Sequence, residues 1–303
     1  MDDPLFGECV TLHEQEIHYF RAGSGPVIVV VHGLLCSRAQ WSTLVEQLSR
    51  DYTVVAPDLL GHGQSAKPRG DYSLGAHAAT LRDLFDALDI RRATLIGHSF
   101  GGGIAMQFAY MFRERCARLV LVSSGGLGRE VSILLRAPTL PGAEFALPLL
   151  SASWLRQGAE SAGRFLSRIG VRSSPDIEEM WRGYVSLGDA HARRAFVATV
   201  RSVVDPGGQT VSALQKLAVL ADLPVLLVWG ARDRLIPSWH GVLAHQAWPG
   251  SRLEVFPRAG HFPHLDDPER FAALIRDFVP RSNPAARGEA VGATDPQSAL
   301  EAS

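Results

Sequence analysis

Short runs of β-branched and aliphatic residues alternate along the chain with longer segments of helical periodicity. The apolar runs, each bounded by Gly, Pro or Asp, are Ile28–Val31, Thr53–Ala56, Thr94–Ile96, Leu119–Val122, Pro224–Val228 and Leu253–Phe256. Continuous apolar runs of this length are typical of strands that a parallel sheet buries on both faces. The helical patterns are Trp41–Arg50, Leu74–Leu88, Phe100–Phe112 and Pro268–Phe278. The alternation predicts an α/β fold with a mostly parallel sheet, preceded by an antiparallel edge hairpin of Cys9–His13 and Ile17–Ala22.

The strand pattern is interrupted between residues 127 and 207, where helical patterns follow one another without a strand candidate. Asp176 and Asp189 stand where helix N-caps are expected. This segment predicts an all-helical insertion, or cap, in a core formed by residues 1–126 and 208–281. Residues 282–303 are rich in Ala, Gly, Ser and Pro and lack apolar periodicity, so we predict a disordered tail.

The composition indicates a globular protein whose partner is small and neutral. The 303 residues are 46% hydrophobic, and 30 basic against 31 acidic side chains give a net charge of -1. This balance gives no reason to expect binding to nucleic acid. The three cysteines are widely spaced, and no secretory signal or apolar run of membrane-spanning length is visible. We therefore expect a cytoplasmic protein without membrane insertion, and the sequence leaves its oligomeric state open.

A candidate nucleophile lies between Gly97 and Gly101, where the chain reads GHSFG directly after the strand pattern that ends at Ile96. A GxSxG sequence between a strand and a helix is typical of a nucleophile elbow, a strained turn that projects its serine above the sheet. Small residues on either side leave room for the close approach of the two backbones. This context predicts Ser99 as a nucleophile rather than a structural serine.

A serine hydroxyl needs a general base, and His261 is the predicted one. His261 follows the last strand pattern, which places it at the carboxyl edge of the sheet, where ligands bind in open α/β sheets. The competitor His264 lies three residues further on, and we expect it to pack or to lie at the surface.

The base needs a carboxylate that accepts its other N–H, and Asp233 is the predicted residue. Its loop follows a strand pattern and borders the same edge of the sheet. The alternatives for Asp233 are a loop cap and a salt bridge to a neighbouring arginine. Asp266 and Asp267 are closer to His261 in sequence, but they lead into the last helix, where Asp267 is predicted as the N-cap.

Acyl transfer also requires donors for the developing oxyanion. The backbone N–H of Phe100, directly after the nucleophile and at a helix N-terminus, is the first predicted donor. The second is the N–H of Leu34, in the turn that follows the strand pattern Ile28–Val31. His32, in the same turn, is expected to bond its own loop rather than to act as a base.

These residues belong to an ordered set of motifs that resembles the α/β-hydrolase superfamily, in the branch with a helical cap after the sixth strand. The other matching motifs are His32-Gly33, Asp58-Leu59-Leu60-Gly61-His62-Gly63-Gln64-Ser65, Gly230-Ala231-Arg232-Asp233 and Gly260-His261-Phe262-Pro263. The resemblance implies an eight-stranded, mainly parallel sheet with helices on both faces. It also implies the triad Ser99, Asp233 and His261, and a structural role for Asp58 and the loop after it.

The expected activity is hydrolysis of a carboxylic ester, with a lactone or thioester as variants, through an acyl-enzyme on Ser99 and without a metal or organic cofactor. A serine at the elbow disfavours the haloalkane dehalogenase and epoxide hydrolase relatives, which use aspartate there. Relatives that hydrolyse carbon-carbon bonds in ring-cleavage products usually carry a glycine and a tryptophan where this chain has Leu34-Leu35 and Phe262. That activity, an acyltransferase and a slow-turnover receptor are the alternatives. The predicted cap is apolar and aromatic, which favours acyl or aryl esters as substrates. We expect most of its apolar residues to pack the cap helices onto each other and onto the core; these residues are Phe145, Leu147, Leu149, Leu150, Trp154, Leu155, Phe165, Met180, Trp181, Tyr184 and Phe196.

Overall fold

The structure is a computed structural model that describes residues 7–155, 157–158, 161, 173–213 and 219–282. The predicted disordered tail lies outside the described residues, except for Ser282, which follows the last helix.

An eight-stranded sheet forms the centre of the molecule. Eight of the strands that the structure describes belong to it, and β7 and β8 do not. In chain order, the strands are β1 (Gly7–Leu12), β2 (Gln15–Ala22), β3 (Val27–Val31), β4 (Thr53–Pro57), β5 (Ala93–His98), β6 (Cys116–Val122), β7 (Val204–Asp205), β8 (Gly208–Gln209), β9 (Val225–Gly230) and β10 (Arg252–Phe256). The order in the sheet is β1-β2-β4-β3-β5-β6-β9-β10, and β7 pairs with β8 separately. Within the eight-stranded sheet, the pairs β1–β2 and β2–β4 are antiparallel and the others are parallel. The separate pair β7–β8 is antiparallel. The α/β fold and the edge hairpin are thereby confirmed.

Helices cover both faces of the sheet, and several of the described helices lie between β6 and β9 in the chain. They are α1 (Ser42–Leu48), α2 (Leu74–Ala87), α3 (Phe100–Met111), α4 (Ile133–Arg136), α5 (Ala143–Leu150), α6 (Pro175–Ser186), α7 (Ala190–Val203), α8 (Trp239–Ala247), α9 (Pro263–Asp266) and α10 (Pro268–Arg281). Alternate residues of one strand enter opposite cores: Val29 and Val31 pack on the side of α2 and α3, and Ile28 and Val30 pack with α1 and α10. This two-sided burial explains why β3 is continuously apolar.

Between β6 and β9, the regular structure of the described residues is helical apart from one short antiparallel pair. Val204–Asp205 pairs with Gly208–Gln209, and the sequence pattern did not reveal this pair because two residues are too short to show periodicity. Asp189 caps α7 by accepting a hydrogen bond from the N–H of Ala192 at 2.7 Å, as predicted.

The N-cap prediction for Asp176 is wrong. Pro175 occupies the first turn of α6, and the preceding Ser174 is the N-cap, accepting a hydrogen bond from the N–H of Ile177 at 3.4 Å. Asp176 is therefore free to make a different contact, which involves the loop of His261.

The loop after β4 is held by the buried carboxylate of Asp58. Asp58 accepts hydrogen bonds from the backbone N–H of Arg38 at 2.6 Å and of Gln64 at 2.8 Å, and it also pairs with the Arg38 guanidinium. The hydroxyl of Ser65 donates to the Asp58 carbonyl oxygen at 2.8 Å. These contacts agree with the structural role expected for Asp58.

No single helix in the described part of the chain is long and apolar enough to cross a membrane. The segments Ile133–Thr139 and Ala143–Leu150 pass the same test of length and composition only as a pair, bent by 118°.

Candidate active site

Ser99 lies in a strained turn between β5 and α3. Its φ of 53° is in a region that residues other than glycine rarely adopt, and its ψ is -117°. The turn is fixed on both sides, because the Ser99 N–H donates to Val122 at 2.9 Å and its carbonyl accepts from Gly125 at 2.9 Å. A side chain at Gly101 would overlap the backbone carbonyl of Val31, so the elbow needs glycine there. The sequence-predicted nucleophile thus occupies an elbow at the carboxyl edge of the sheet.

His261 and Asp233 lie together at the same edge. The Nδ1 of His261 is 2.8 Å from Oδ2 of Asp233, and both side chains are buried. The other oxygen of Asp233 accepts hydrogen bonds from the N–H groups of Leu235 at 2.8 Å and Ile236 at 2.9 Å. Asp233 therefore caps its own loop with one oxygen and bonds the imidazole of His261 with the other. The loop cap and the partnership with His261, which the sequence left as alternatives, are both present.

The two backbone amides predicted as oxyanion donors lie beside Ser99, one at the start of α3 and the other in the turn after β3. Phe100 is the first residue of α3, so its N–H has no acceptor within the helix. Leu34 follows β3 in a turn that the hydrogen bond from Cys36 N–H to the Gly33 carbonyl closes at 3.2 Å. Leu34, Ser99 and Phe100 all line one small cavity of about 50 Å³. The start of α3 and the turn after β3 therefore lie beside Ser99.

Two other histidines that sequence motifs place near the site are structural. The Nδ1 of His32 is 2.8 Å from the Gly33 carbonyl, and its Nε2 accepts from the N–H of Leu59 at 3.0 Å. His264 is buried and stacks on Trp41, with the ring centroids 4.3 Å apart. Burial lowers the pKa of both histidines below the ordinary value.

His98 supports His261, and the sequence analysis did not single it out. Its Nε2 donates to the carbonyl oxygen of His261 at 2.9 Å, and the two ring centroids are 4.8 Å apart. Burial first, and then the neighbouring histidines, hold the pKa of His98 well below its ordinary value, so the ring is neutral. Its position beside Ser99 in the elbow was the available signal, but its partner lies 163 residues away.

A second support that the sequence missed comes from the insertion. Asp176, at the start of α6, accepts a hydrogen bond from the backbone N–H of His261 at 3.2 Å. Asp266 accepts a hydrogen bond at 2.8 Å from the backbone N–H of Gly260, the residue before His261. A side chain at Gly260 would overlap the Asp176 carboxylate, so this contact requires glycine. Asp176 therefore ties the insertion to the loop that carries His261.

Ser99 and His261 open into a cavity of about 630 Å³ between the edge of the sheet and the insertion. Its wall is largely aliphatic, and many of its residues come from the segment around α4 and α5, among them Leu134, Leu135, Leu140, Leu147 and Leu150. Glu179 is the one Asp, Glu, Lys or Arg side chain among the described lining residues, and it pairs with the Arg182 guanidinium. The site therefore suits an apolar, uncharged molecule.

The apolar residues of the insertion are less buried than the sequence led us to expect. Phe145 is 76% exposed, Leu149 72% and Trp154 70%. The expected packing is confirmed for Phe196, which is buried, and is wrong for these three residues; α5, which carries Phe145 and Leu149, contains no buried residue. Phe165 lies outside the described residues.

Three side chains of types that ligate metal ions lie close together on β1 and β2, at one edge of the sheet. Cys9, Glu16 and His18, on the edge hairpin, place their ligand atoms within 4.8 Å of one another. Cys9 and His18 face each other across β1 and β2.

Comparisons with known proteins agree with this architecture. The family model of the alpha/beta hydrolase fold matches residues 26–268. An uncharacterized protein of Mycobacterium tuberculosis is 42% identical over 282 residues, which cover 91% of this chain and 83% of that protein. The 2-hydroxy-6-oxo-2,4-heptadienoate hydrolase of Pseudomonas putida is 28% identical over 276 residues, which cover 87% of this chain and 92% of that enzyme.

Among solved structures, an N-acyl homoserine lactone degrading enzyme has a TM-score of 0.71 and 27% identity. The match covers 90% of this chain and 100% of that enzyme. The names of the Pseudomonas putida relative and of this solved structure give two different substrates, a dienoate and a lactone.

Proposed function

Because the chain belongs to the alpha/beta hydrolase fold family, we propose that it is a serine hydrolase that cleaves a carboxylic ester of a small, largely apolar substrate. The observation that carries the proposal is the shared cavity: the strained Ser99 and His261, whose Nδ1 is hydrogen-bonded to Asp233, both line one apolar space. A lactone or thioester fits the same chemistry, since each presents an acyl carbon and a leaving oxygen or sulfur.

The proposed reaction runs through an acyl-enzyme. The Nε2 of His261 takes the hydroxyl proton of Ser99 as its oxygen attacks the acyl carbon, and Asp233 stabilises the imidazolium through Nδ1. The N–H groups of Leu34 and Phe100 donate to the developing oxyanion. The imidazolium then gives its proton to the leaving alcohol. A water molecule, deprotonated by His261, releases the acid and restores Ser99.

The charges of the cavity favour a neutral ester over the substrate class that the Pseudomonas putida relative's name describes. A dienoate carries a carboxylate, and no Lys or Arg is among the described residues that line the cavity. Glu179 adds a carboxylate of its own to the wall. Arg193, on α7, donates instead to the backbone carbonyls of Leu187 and Gly188 at 2.7 and 3.0 Å. A substrate carboxylate would therefore be buried without a cation, which is unfavourable.

The test is labelling with a fluorophosphonate, run beside hydrolysis of p-nitrophenyl esters of increasing acyl length. We expect the wild type to be labelled and to turn over at least one ester. Ser99→Ala should abolish labelling and lower kcat by about 10⁴-fold or more, because the nucleophile is removed. Ser124→Ala is the matched control: Ser124 is also buried at this edge, but its hydroxyl donates to the Gly125 carbonyl at 2.8 Å.

The outcomes separate this proposal from its alternatives. Wild-type labelling without ester turnover would contradict it and favour a slow-turnover binding protein. Faster cleavage of a dienoate than of any ester would favour a carbon-carbon hydrolase, and preferential transfer to added alcohol would favour an acyltransferase. Labelling that survives in Ser99→Ala would overturn the assignment of the nucleophile.

A further inference from the structure

The insertion exposes several large apolar side chains to solvent. We use the term apolar face for Ile133, Leu134, Phe145, Leu149 and Trp154, each of which is more than half exposed. Neither α4 nor α5 contains a buried residue, although both are rich in leucine. Exposed apolar patches of this kind on a folded protein mark a surface that meets an apolar partner.

The apolar face is continuous with the mouth of the active-site cavity. Leu134 belongs to the apolar face and also lines the cavity. Leu140 and Leu150 are likewise both exposed and part of the cavity wall. The same segment therefore forms the wall of the cavity on one side and the apolar face on the other.

The charges around this surface indicate what kind of partner would cover it. α4 and α5 carry one charged residue each, Arg136 and Glu144, and Glu144 is paired with Arg201 at 2.7 Å. A patch with no excess charge is complementary to hydrocarbon rather than to an acidic or basic partner. Trp154, at its border, is a residue type that prefers the boundary between water and lipid.

The size of α4 and α5 limits how deep they can go. α5 has eight residues, which is about 12 Å of helix, against a hydrocarbon core of about 30 Å. The bend of 118° between Ile133–Thr139 and Ala143–Leu150 also turns the chain back on itself. These dimensions fit a segment that lies in the interface of a bilayer and does not span it.

We infer that the apolar face docks this protein on the surface of a lipid bilayer. The mouth of the cavity then opens toward the lipid, and an apolar ester can enter without crossing water. A second copy of the chain on the same surface would cover the mouth instead. Docking itself does not depend on the proposed function; only the delivery of an ester substrate rests on it.

Flotation with vesicles of neutral phosphatidylcholine tests this inference. The Ser99→Ala protein is used so that hydrolysis cannot alter the vesicles. We expect it to float with the vesicles to a similar extent at low and high salt, because apolar burial rather than charge drives the binding. Adding Phe145→Ser and Leu149→Ser should weaken partitioning by about tenfold or more, because two exposed apolar side chains are lost.

The matched control replaces two exposed apolar residues elsewhere, Met111 on α3 and Leu243 on α8, with serine. This control should float as the parent does. Trp154→Ser tests the apolar face separately if the double variant does not fold. Hydrolysis of a short, water-soluble ester by the double variant with Ser99 intact should match the wild type, since Phe145 and Leu149 do not line the cavity.

Two results would overturn the inference. One is a parent protein that stays away from the vesicles, and the other is a double variant that floats equally well. Light scattering that shows a dimer, lost in the double variant and without vesicle binding, would assign the apolar face to a second copy instead. Because flotation needs no catalysis, its failure would leave the proposed ester hydrolysis standing.

Discussion

At the residue scale, His264 shows what burial does to a titratable side chain beside the candidate active site. Its ring stacks on Trp41, and its Nε2 lies 3.2 Å from the amide nitrogen of Gln40. Burial first, and then the charge of nearby His261, lower the pKa of His264 to about 3. The folded protein therefore keeps this ring neutral at a pH where an unfolded chain would protonate it.

This difference predicts a loss of stability on acidification. As the pH falls below about 6.5, the unfolded state binds a proton at His264 that the folded state does not bind, so the free energy of unfolding decreases. Between about pH 6.5 and about pH 5, the loss from this residue is about 2 kcal/mol. Urea unfolding of the wild type and His264→Gln at both pH values measures it, and the variant should lose correspondingly less.

His13 provides the control for this measurement. It is exposed on the loop between β1 and β2, where its Nε2 lies 3.0 Å from Asp83. His13→Gln removes an exposed imidazole and so separates the loss of any histidine from the loss of the buried one. Parallel pH dependences in the wild type and His264→Gln would show that His264 is not the group responsible.

At the scale of elements, the elbow is a contact between a strand end and a helix start. A side chain at Gly97 would overlap the backbone carbonyl oxygen of Gly101, and the atoms next to it also belong to backbone. Because no side-chain rotation relieves this overlap, β5 and α3 can approach each other only when residue 97 is glycine. The local strain at Ser99 depends on the same approach.

We therefore expect Gly97→Ala to reduce the free energy of unfolding by about 3 kcal/mol or more, the range of severe overpacking in a core. Urea denaturation followed by circular dichroism measures the change. Gly75→Ala is the matched control in the first turn of α2, where the nearest atom to the added carbon is the Ser73 hydroxyl, 3.8 Å away. It should be neutral or stabilising by up to about 1 kcal/mol. Equal effects of the two substitutions would argue against the steric account.

At the scale of the whole molecule, the cavity exists only because the insertion closes over the carboxyl edge of the sheet. The edge supplies Ser99 and His261, and the insertion supplies most of the aliphatic wall. The contact of Asp176 with the His261 backbone connects these two parts directly. For the proposed ester hydrolysis, we therefore expect the accepted acyl length to depend on side chains of the insertion that take no part in the proposed chemistry.

Leu147, which lines the cavity from α5, tests this division of roles. Leu147→Trp should lower kcat/KM for the longest p-nitrophenyl esters by about tenfold while leaving the acetyl ester near its wild-type rate, because only long chains reach the added ring. Leu149→Trp adds the same bulk to the outward side of α5 and should change neither. An equal loss on short and long esters would mean that the substitution disturbs the catalytic groups instead.

The sequence alone determined those features that short stretches of chain encode. The continuous apolar runs of β3 to β6 follow from burial on both faces, and the glycines around Ser99 follow from backbone crowding, so both are visible without a partner. His261 and Asp233 could be predicted because each follows a strand, and the carboxyl ends of parallel strands lie at one edge. Their roles in catalysis stay predictions until Ser99 is tested.

Only the tertiary structure determined which residues that are distant in sequence come into contact. Three features depend on how helices and strands pack. They are the hydrogen bonds of His98 and Asp176 to the backbone of His261, the close positions of Cys9, Glu16 and His18, and the exposure of Phe145. No local pattern records these contacts: an apolar helix has the same periodicity whether its partner is a core, another chain or a lipid surface. The sequence therefore predicted the catalytic groups, whereas packing determined the cavity around them and the apolar face beside it.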